Sequence, residues 1–233
     1  MYTLYIANKN YSSWSLRPWL LLQVLGIPFD EQLKPFGEGP DATDFRGFSP
    51  SGKVPCLHDG DQVVWDSLAI AEYLAERHPG VWPVDPAARA WARCAAAEMH
   101  SSFGTLRNIC SMNCGLRIRL REIPTALLAD IGRLEELWSQ GLDRFGGPWL
   151  AGASFGAVDA FFAPVAFRIQ TYALPLGPQA QAYVDRLLAL PAMAQWYRDA
   201  LAERWRDVAH DAEVPLVGEV AADFRAGQGA GLF

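Results

Sequence analysis

Pro79, Pro83 and Pro86 divide this chain into two stretches whose residue patterns cannot belong to one kind of structure. Before them, short β-prone runs alternate with helical spacing. After them, the apolar residues recur at the 3.6-residue period of a helix. Proline-rich segments are stiff and extended, so the three prolines read as a linker. The pattern predicts a small α/β domain over residues 1–80, an all-helical domain over 87–210 and a C-terminal tail over 211–233. With 233 residues, 51% of them hydrophobic, each domain has enough apolar side chains for its own core.

In the first stretch, residues 3–7 are β-prone and 8–13 are polar and turn-forming. Leu16, Trp19, Leu20 and Val24 fall at helical spacing, ended by Gly26 where a helix C-cap belongs. Residues 29–33 read as a strand, 34–49 as irregular chain rich in Gly, Pro and Asp, and 54–58 with 63–65 as a hairpin around Asp59-Gly60. Residues 67–77 read as a helix stopped by Pro79-Gly80. The order β-α-β-β-β-α gives a mixed sheet. In the second stretch, residues 87–110 read as one Ala-rich helix. Pro124 stands where a helix N1 residue should, ahead of Leu127, Ile131, Leu134 and Trp138. Residues 157–170 are apolar almost all round, which marks a buried central helix, and 178–190 and 191–203 complete the set. Beyond His210 the periodicity fades.

Several function classes are disfavoured. A net charge of −6 and no basic stripe argue against a nucleic-acid partner. The densest basic run, residues 117–121, is too short to track phosphates. No apolar run is long enough to span a membrane, and the first residues lack the features of a signal peptide. The four cysteines (Cys56, Cys94, Cys110 and Cys114) are irregularly spaced and make no disulfide framework, so a reducing cytoplasm is expected. His58, His78, His100 and His210 are scattered, and only Cys56 and His58 share a strand face, so no metal site is expected.

Residues 49–67 carry the functional signal. Ser51-Gly52-Lys53-Val54-Pro55 is a turn entering a strand, and Asp66-Ser67 opens the next helix. Val54 precedes a proline and is pushed into an extended conformation. An X–Pro bond is also the ordinary place for a cis peptide, which here would turn the Val54 N–H and C=O toward a peptide backbone laid antiparallel to them. At a helix start, free N–H groups and the dipole favour a carboxylate. A ligand carrying both an α-ammonium and an α-carboxylate would meet Asp66 and Ser67 respectively. The plain alternative is a hairpin followed by an N-capped helix.

A thioredoxin-like α/β unit, a proline linker and a helical domain carrying these motifs resemble the cytosolic glutathione transferase superfamily over roughly residues 1–205. The residues that carry the resemblance are Val54-Pro55, the Asp66-Ser67-Leu68-Ala69-Ile70 run with Tyr73-Leu74, and Ala157-Val158-Asp159. The segment from Asn10 to Arg17 looks most like the serine-type classes (zeta, tau and theta-like), with Tyr5 and Tyr11 leaving a tyrosine-type reading open. The chain departs from the pattern at Gly156, where the family usually has a capping Ser or Thr, and at Asp66, where it usually has Glu. The shorter Asp66 would draw the ligand ammonium closer or bind it through water.

The resemblance implies glutathione as co-substrate and a small electrophile as its partner. A free thiol with a pKa of about 8.5 is only a few per cent thiolate at neutral pH, so the protein must favour the charged form. Ser12 and Ser13 precede the first helix, and a hydroxyl donated to a thiolate does this. Ser12 is placed as the main donor and Ser13 as the close second; a plain N-cap is the alternative role. The binding set then comprises Trp14, Lys53, Val54, Pro55, Asp66 and Ser67, with Lys34 a second candidate across the groove. Met99, Phe103 and Arg107, at four-residue spacing on one helix face, are expected to meet the second substrate, with Met99 and Phe103 as core the plainer reading. No cysteine occupies the loop, which argues against mixed-disulfide chemistry. Alternatives are a glutathione-dependent isomerase of the maleylacetoacetate type, a peroxidase, or a non-catalytic binding module. The resemblance also implies a homodimer, with its interface near Trp65.

Overall fold

The computed structural model describes residues 1–36 and 44–225. Part of the segment read as irregular (37–43) and the end of the tail (226–233) lie outside the described residues. Strand β1 (Tyr2–Ile6) runs parallel to β2 (Phe29–Leu33), with Tyr2 opposite Phe29. On its other side β1 is antiparallel to β3 (Cys56–Asp59), which turns at Gly60 (φ +58°) into β4 (Gln62–Trp65). The sheet order is β2-β1-β3-β4. The parallel pair needs a crossover, which α1 (Ser13–Val24) supplies, and α2 (Ser67–Ala75) follows β4. This is the thioredoxin-like arrangement expected, except that Val54 and Pro55 lie ahead of β3, outside the ladder.

The second domain holds α3 (Pro86–Ser101), α4 (Gly104–Ile109), α5 (Thr125–Phe145), α6 (Ala157–Tyr172), α7 (Pro178–Leu188) and α8 (Pro191–Ala202). Helix α6 is buried at every position from Ala157 to Ile169 and packs against α1, α3 and α7, so one continuous core joins the domains. Pro124 is the N-cap of α5 rather than its first residue.

Three expectations need correction. The helix read over 87–110 is two: α3 ends at Ser101, and Phe103 adopts a left-handed conformation (φ +58°) before α4. That costly backbone geometry accompanies burial of the Phe103 ring, and the Leu106 N–H donates to the Asp130 carboxylate on α5 at 2.9 Å. The second domain is not purely helical, because residues 116–120 form a strand, β5 (Leu116–Leu120). Its partner comes from the stretch read as a tail: after short helices α9 (Val208–Asp211) and α10 (Val214–Val217), strand β6 (Gly218–Asp223) pairs antiparallel with β5. Leu116 and Ile118 of β5 are buried while Arg119 is exposed, so the basic run is an alternating strand.

Gly156, the departure at the start of α6, has a steric reason. A Cβ there would lie 3.1 Å from the Val81 carbonyl oxygen of the linker, which accepts the Ala157 N–H at 2.8 Å. Half of the usual capping box survives: the Asp159 carboxylate accepts the Gly156 N–H at 3.0 Å and also holds Leu150 N–H and Tyr183 O–H. Among the described residues no helix is long and apolar enough to cross a membrane.

Candidate functional site

Two adjoining cavities lie where the α/β domain meets the helices. The larger, about 660 Å³, is walled by Ser13 and Trp14 on one side, Arg107 and Arg168 on another, and His210 and Val217 of the C-terminal segment. The smaller, about 400 Å³, is lined by Pro55, Trp65, Asp66 and Ser67. Trp14, Lys53 and Val54 line both. The expected binding residues are thus brought together around one groove, apart from Lys34, whose backbone N–H pairs with the Ile6 carbonyl beside β1 and which lines neither cavity.

The lower end is built by a turn and a helix start. The Val54–Pro55 peptide is cis. Asp66 caps α2, its Oδ1 accepting the Leu68 N–H at 2.8 Å, with a positive φ of 74°. A non-glycine residue held there is strained, and such strain gathers at functional positions. The other oxygen, Oδ2, sits 3.5 Å from His100 Nε2. Burial pulls the His100 pKa down, and Arg17 and Arg107 add to this, while Asp66 opposes it. Ser67 is 1% exposed, and its hydroxyl has no partner among the described residues. A buried orphan hydroxyl is costly; here it borders the cavity at the first turn of a helix, where an anion is favoured.

At the upper end the two serines differ. Ser12 is buried and caps α1; its hydroxyl donates to Ser15 Oγ at 2.7 Å and accepts the Ser15 N–H at 3.4 Å. Ser15 Oγ in turn accepts the Ala7 N–H. The Ser12 hydrogen is therefore spent inside the loop. Ser13, the first residue of α1, is half-buried and borders the cavity, and its Oγ accepts from Arg168 Nη2 at 3.3 Å. Tyr11, also buried, gives its hydroxyl to Asp211 and accepts from Arg225, so it is tied into the C-terminal segment. Burial, reinforced by Asp211, raises its pKa. Tyr5 stacks on Phe48 away from the groove.

The expected substrate face is not one face. Met99 is fully buried in α3, Phe103 is buried beyond the end of that helix, and neither lines the cavities. Arg107, on α4, does. Its guanidinium lies 5.5 Å from the Trp14 ring and donates to the His100 carbonyl. Two functional candidates were not singled out from the sequence as side chains of the site, Arg17 and Arg168. Both are buried. Arg17 lies 4.1 Å from the Trp14 ring centroid and 4.8 Å from that of Phe161. A lone arginine inside the otherwise apolar run of α6 was the available signal for Arg168. Cys110, near Arg168, is an inert thiol, since burial pushes its pKa up to about 12. Among the described residues no cluster of His, Cys, Asp or Glu could hold a metal ion.

Residues 11–77 match the family model described as glutathione S-transferase, N-terminal domain, and residues 119–199 match the glutathione S-transferase C-terminal domain. Glutathione S-transferase 1 of Dianthus caryophyllus is 30% identical over 169 residues, covering 69% of this chain and 74% of that one. The chain belongs to the cytosolic glutathione transferase superfamily. Glutathione S-transferase GstB of Escherichia coli K12 is 28% identical over 210 residues, 84% of this chain and 92% of the relative. Among solved structures, a glutathione transferase homologue from Burkholderia with bound glutathione superposes with a TM-score of 0.63 at 23% identity, covering 85% of this chain and 97% of that one. That superposition concerns the fold alone.

Proposed function

We propose that the protein is a glutathione transferase that binds reduced glutathione along the two cavities and presents its sulfur to a small electrophile beside Ser13. The observation that carries this reading is the buried, unpartnered Ser67 hydroxyl at the head of α2, opening on the same groove as Val54 and Lys53. A γ-glutamyl carboxylate would satisfy that hydroxyl and the helix terminus, with Asp66 Oδ2 taking the ammonium. Val54, outside the sheet ladder, has a backbone edge to offer the cysteinyl residue. Lys53, exposed and lining both cavities, suits the glycine carboxylate.

The sulfur then falls near Ser13 and the first turn of α1. The thiol proton leaves to solvent, and the thiolate accepts the Ser13 hydroxyl while its electron pair forms the new carbon–sulfur bond. With an aryl halide, halide departs; with an activated alkene, the carbon next to the bond takes up a proton. This assigns the donor role to Ser13, with Ser12 as the cap that holds the loop. Arg107, on the wall of the larger cavity, would draw an anionic or carbonyl-bearing electrophile; unchanged kcat/KM for every accepted electrophile in Arg107→Ala would remove that role.

Isothermal calorimetry with reduced glutathione tests the reading. Wild-type protein should bind, and Ser67→Ala should bind about ten- to a hundredfold more weakly, the weight of one hydrogen bond to a charged group. No heat of binding for the wild type would refute it. Turnover of an aryl halide, a hydroperoxide and a cis-enone then separates conjugation from peroxidase and isomerase chemistry.

A further inference from the structure

Arg17, Arg107 and Arg168 converge on Ser13 and Trp14, and among the described residues none of the three has a carboxylate within ion-pair distance. Arg168 projects from α6, the central helix of the other domain, and is 4% exposed. Its Nε donates to the Cys110 carbonyl at 2.8 Å, its Nη1 to the Pro164 carbonyl at 3.3 Å and its Nη2 to Ser13 Oγ at 3.3 Å. Arg17, 2% exposed and packed on the Trp14 ring, has no partner for Nε and Nη1 among the described residues. Burial, and for Arg17 the neighbouring Arg168 and Arg107, pull these guanidinium pKa values down to about 10 and about 9. Both groups are still cations at neutral pH.

A guanidinium has only donors. Contact with Arg168 therefore makes the Ser13 oxygen an acceptor on that side, and its hydrogen must point elsewhere. The side left to it is the cavity that Ser13 borders. Buried positive charge without a counter-ion is expensive, and perturbed ionisable groups gathered in a cleft are functional-site candidates. The charged groups lining that cavity with Ser13 are Lys53, Arg107, Arg168, Asp207, His210 and Glu213, and Asp66 lies in the adjoining cavity beyond Trp14. An anion seated at Ser13 would lie against Arg168, with Arg17 and Arg107 on the ring of the neighbouring Trp14.

Resting on the reading of the groove as a glutathione site, we propose that Arg168 is a positioning residue that aims the Ser13 hydroxyl hydrogen at the sulfur and, with Arg17, supplies the buried positive charge that favours a thiolate there. Arg168 touches no substrate in this scheme. Ser13 and Arg168 form one unit, contributed by the two domains, and Arg17 acts through space.

The test is the ultraviolet titration of enzyme-bound glutathione thiolate against pH, with calorimetric affinity measured on the same samples. Arg168→Met should raise the bound thiol's midpoint by about one pH unit or more, a tenfold loss of thiolate at fixed pH, with affinity for glutathione changed less than about threefold. Arg17→Met should move the midpoint the same way. The double variant Ser13→Ala/Arg168→Met should lose less than the sum of the single losses, as expected for groups acting together. If Arg168→Met does not fold, Arg168→Lys carries the test: it keeps the charge but not the fork, and it should raise the midpoint by less than Ser13→Ala. A wild-type midpoint in Arg168→Met, or in Arg168→Lys together with Arg17→Met, overturns the proposal while leaving the glutathione site standing. A change confined to affinity or melting temperature likewise reduces Arg168 to a structural role. Absence of glutathione binding by the wild type overturns the site reading and this proposal with it.

Discussion

Adjacent serines with different duties give the sharpest test of the site. Ser12→Ala removes the N-cap of α1, in which the hydroxyl accepts the Ser15 N–H and donates to Ser15 Oγ. Loss of such a cap costs about 1 kcal/mol. The lost donation to Ser15 Oγ adds roughly 0.5–1 kcal/mol, giving about 1.5–2 kcal/mol in all. That loss should appear in urea unfolding and leave the thiolate titration within a few tenths of a pH unit of the wild type. Ser13→Ala should do the reverse. It deletes the one hydroxyl of the pair that is not spent inside the loop. A hydrogen bond to an anion contributes about 1.5–3 kcal/mol, so the bound thiol midpoint should rise by about one to two pH units. Below that midpoint kcat/KM should fall tenfold or more. Stability should change by less than about 1 kcal/mol, because Arg168 retains its bonds to Cys110 and Pro164. Both measurements use the same protein and glutathione preparations. If Ser12→Ala moves the titration and Ser13→Ala does not, the assignment of roles is reversed.

Other consequences are equally concrete. Burial pushes the Glu203 carboxyl up to about 7 from 4.5, although the Lys9 and Asn10 N–H groups bond to it. The folded state then holds a proton that the unfolded state releases between these values. Its contribution is complete below pH 4.5 and is lost as pH rises through 7, up to about 3 kcal/mol. Urea unfolding from pH 5 to 8 should show that fall in the wild type and a flatter curve in Glu203→Gln; a wild-type curve rising relative to the variant would contradict the direction. Met99→Ala should lose about 2–5 kcal/mol of stability as a core truncation, with kcat/KM for each electrophile within about twofold of wild type in folded samples. A change in electrophile preference without a stability loss would return Met99 to the cleft wall.

The sequence made some of this legible and hid the rest for identifiable reasons. The order of elements in the first domain, the crossover helix and the buried α6 follow from local pattern and periodicity, since Leu16, Trp19 and Leu20 repeat at 3.6 residues and residues 157–169 carry almost no polar side chain. The Val54-Pro55 and Asp66-Ser67 pairs were readable because proline and helix-start chemistry are local. Both serines border the larger cavity, and which hydroxyl is left free for it was not readable, because that depends on α1 beginning at Ser13 with Ser12 as its cap. The break at Ser102-Phe103 was masked by the alanine-rich stretch before it, whose helix propensity suggested a longer rod. The all-helical reading passed over the alternation of Leu116, Ile118 and Leu120 that fits β5, and the partner Gly218–Asp223 is a poor strand former whose pairing is a long-range event. Arg168 is the instructive omission. A single cation in an apolar helix is weak evidence by spacing, and its meaning appears only when the fold carries it to Ser13.

The segment between β1 and α1 is gripped from distant parts of the chain. Lys9 pairs with Asp199 of α8 and Glu31 of β2, its N–H bonds to Glu203, Asn10 bonds to Asn113, and Tyr11 is clamped by Asp211 and Arg225. Chain regions about two hundred residues apart thus converge on the few positions that precede Ser13. The thioredoxin-like half is consequently not a freestanding module that a helical half merely decorates: excised, it would leave this loop without most of its anchors. The intact molecule should melt in a single calorimetric transition, with the loop that precedes Ser13 losing order at the same temperature as the helices that hold it.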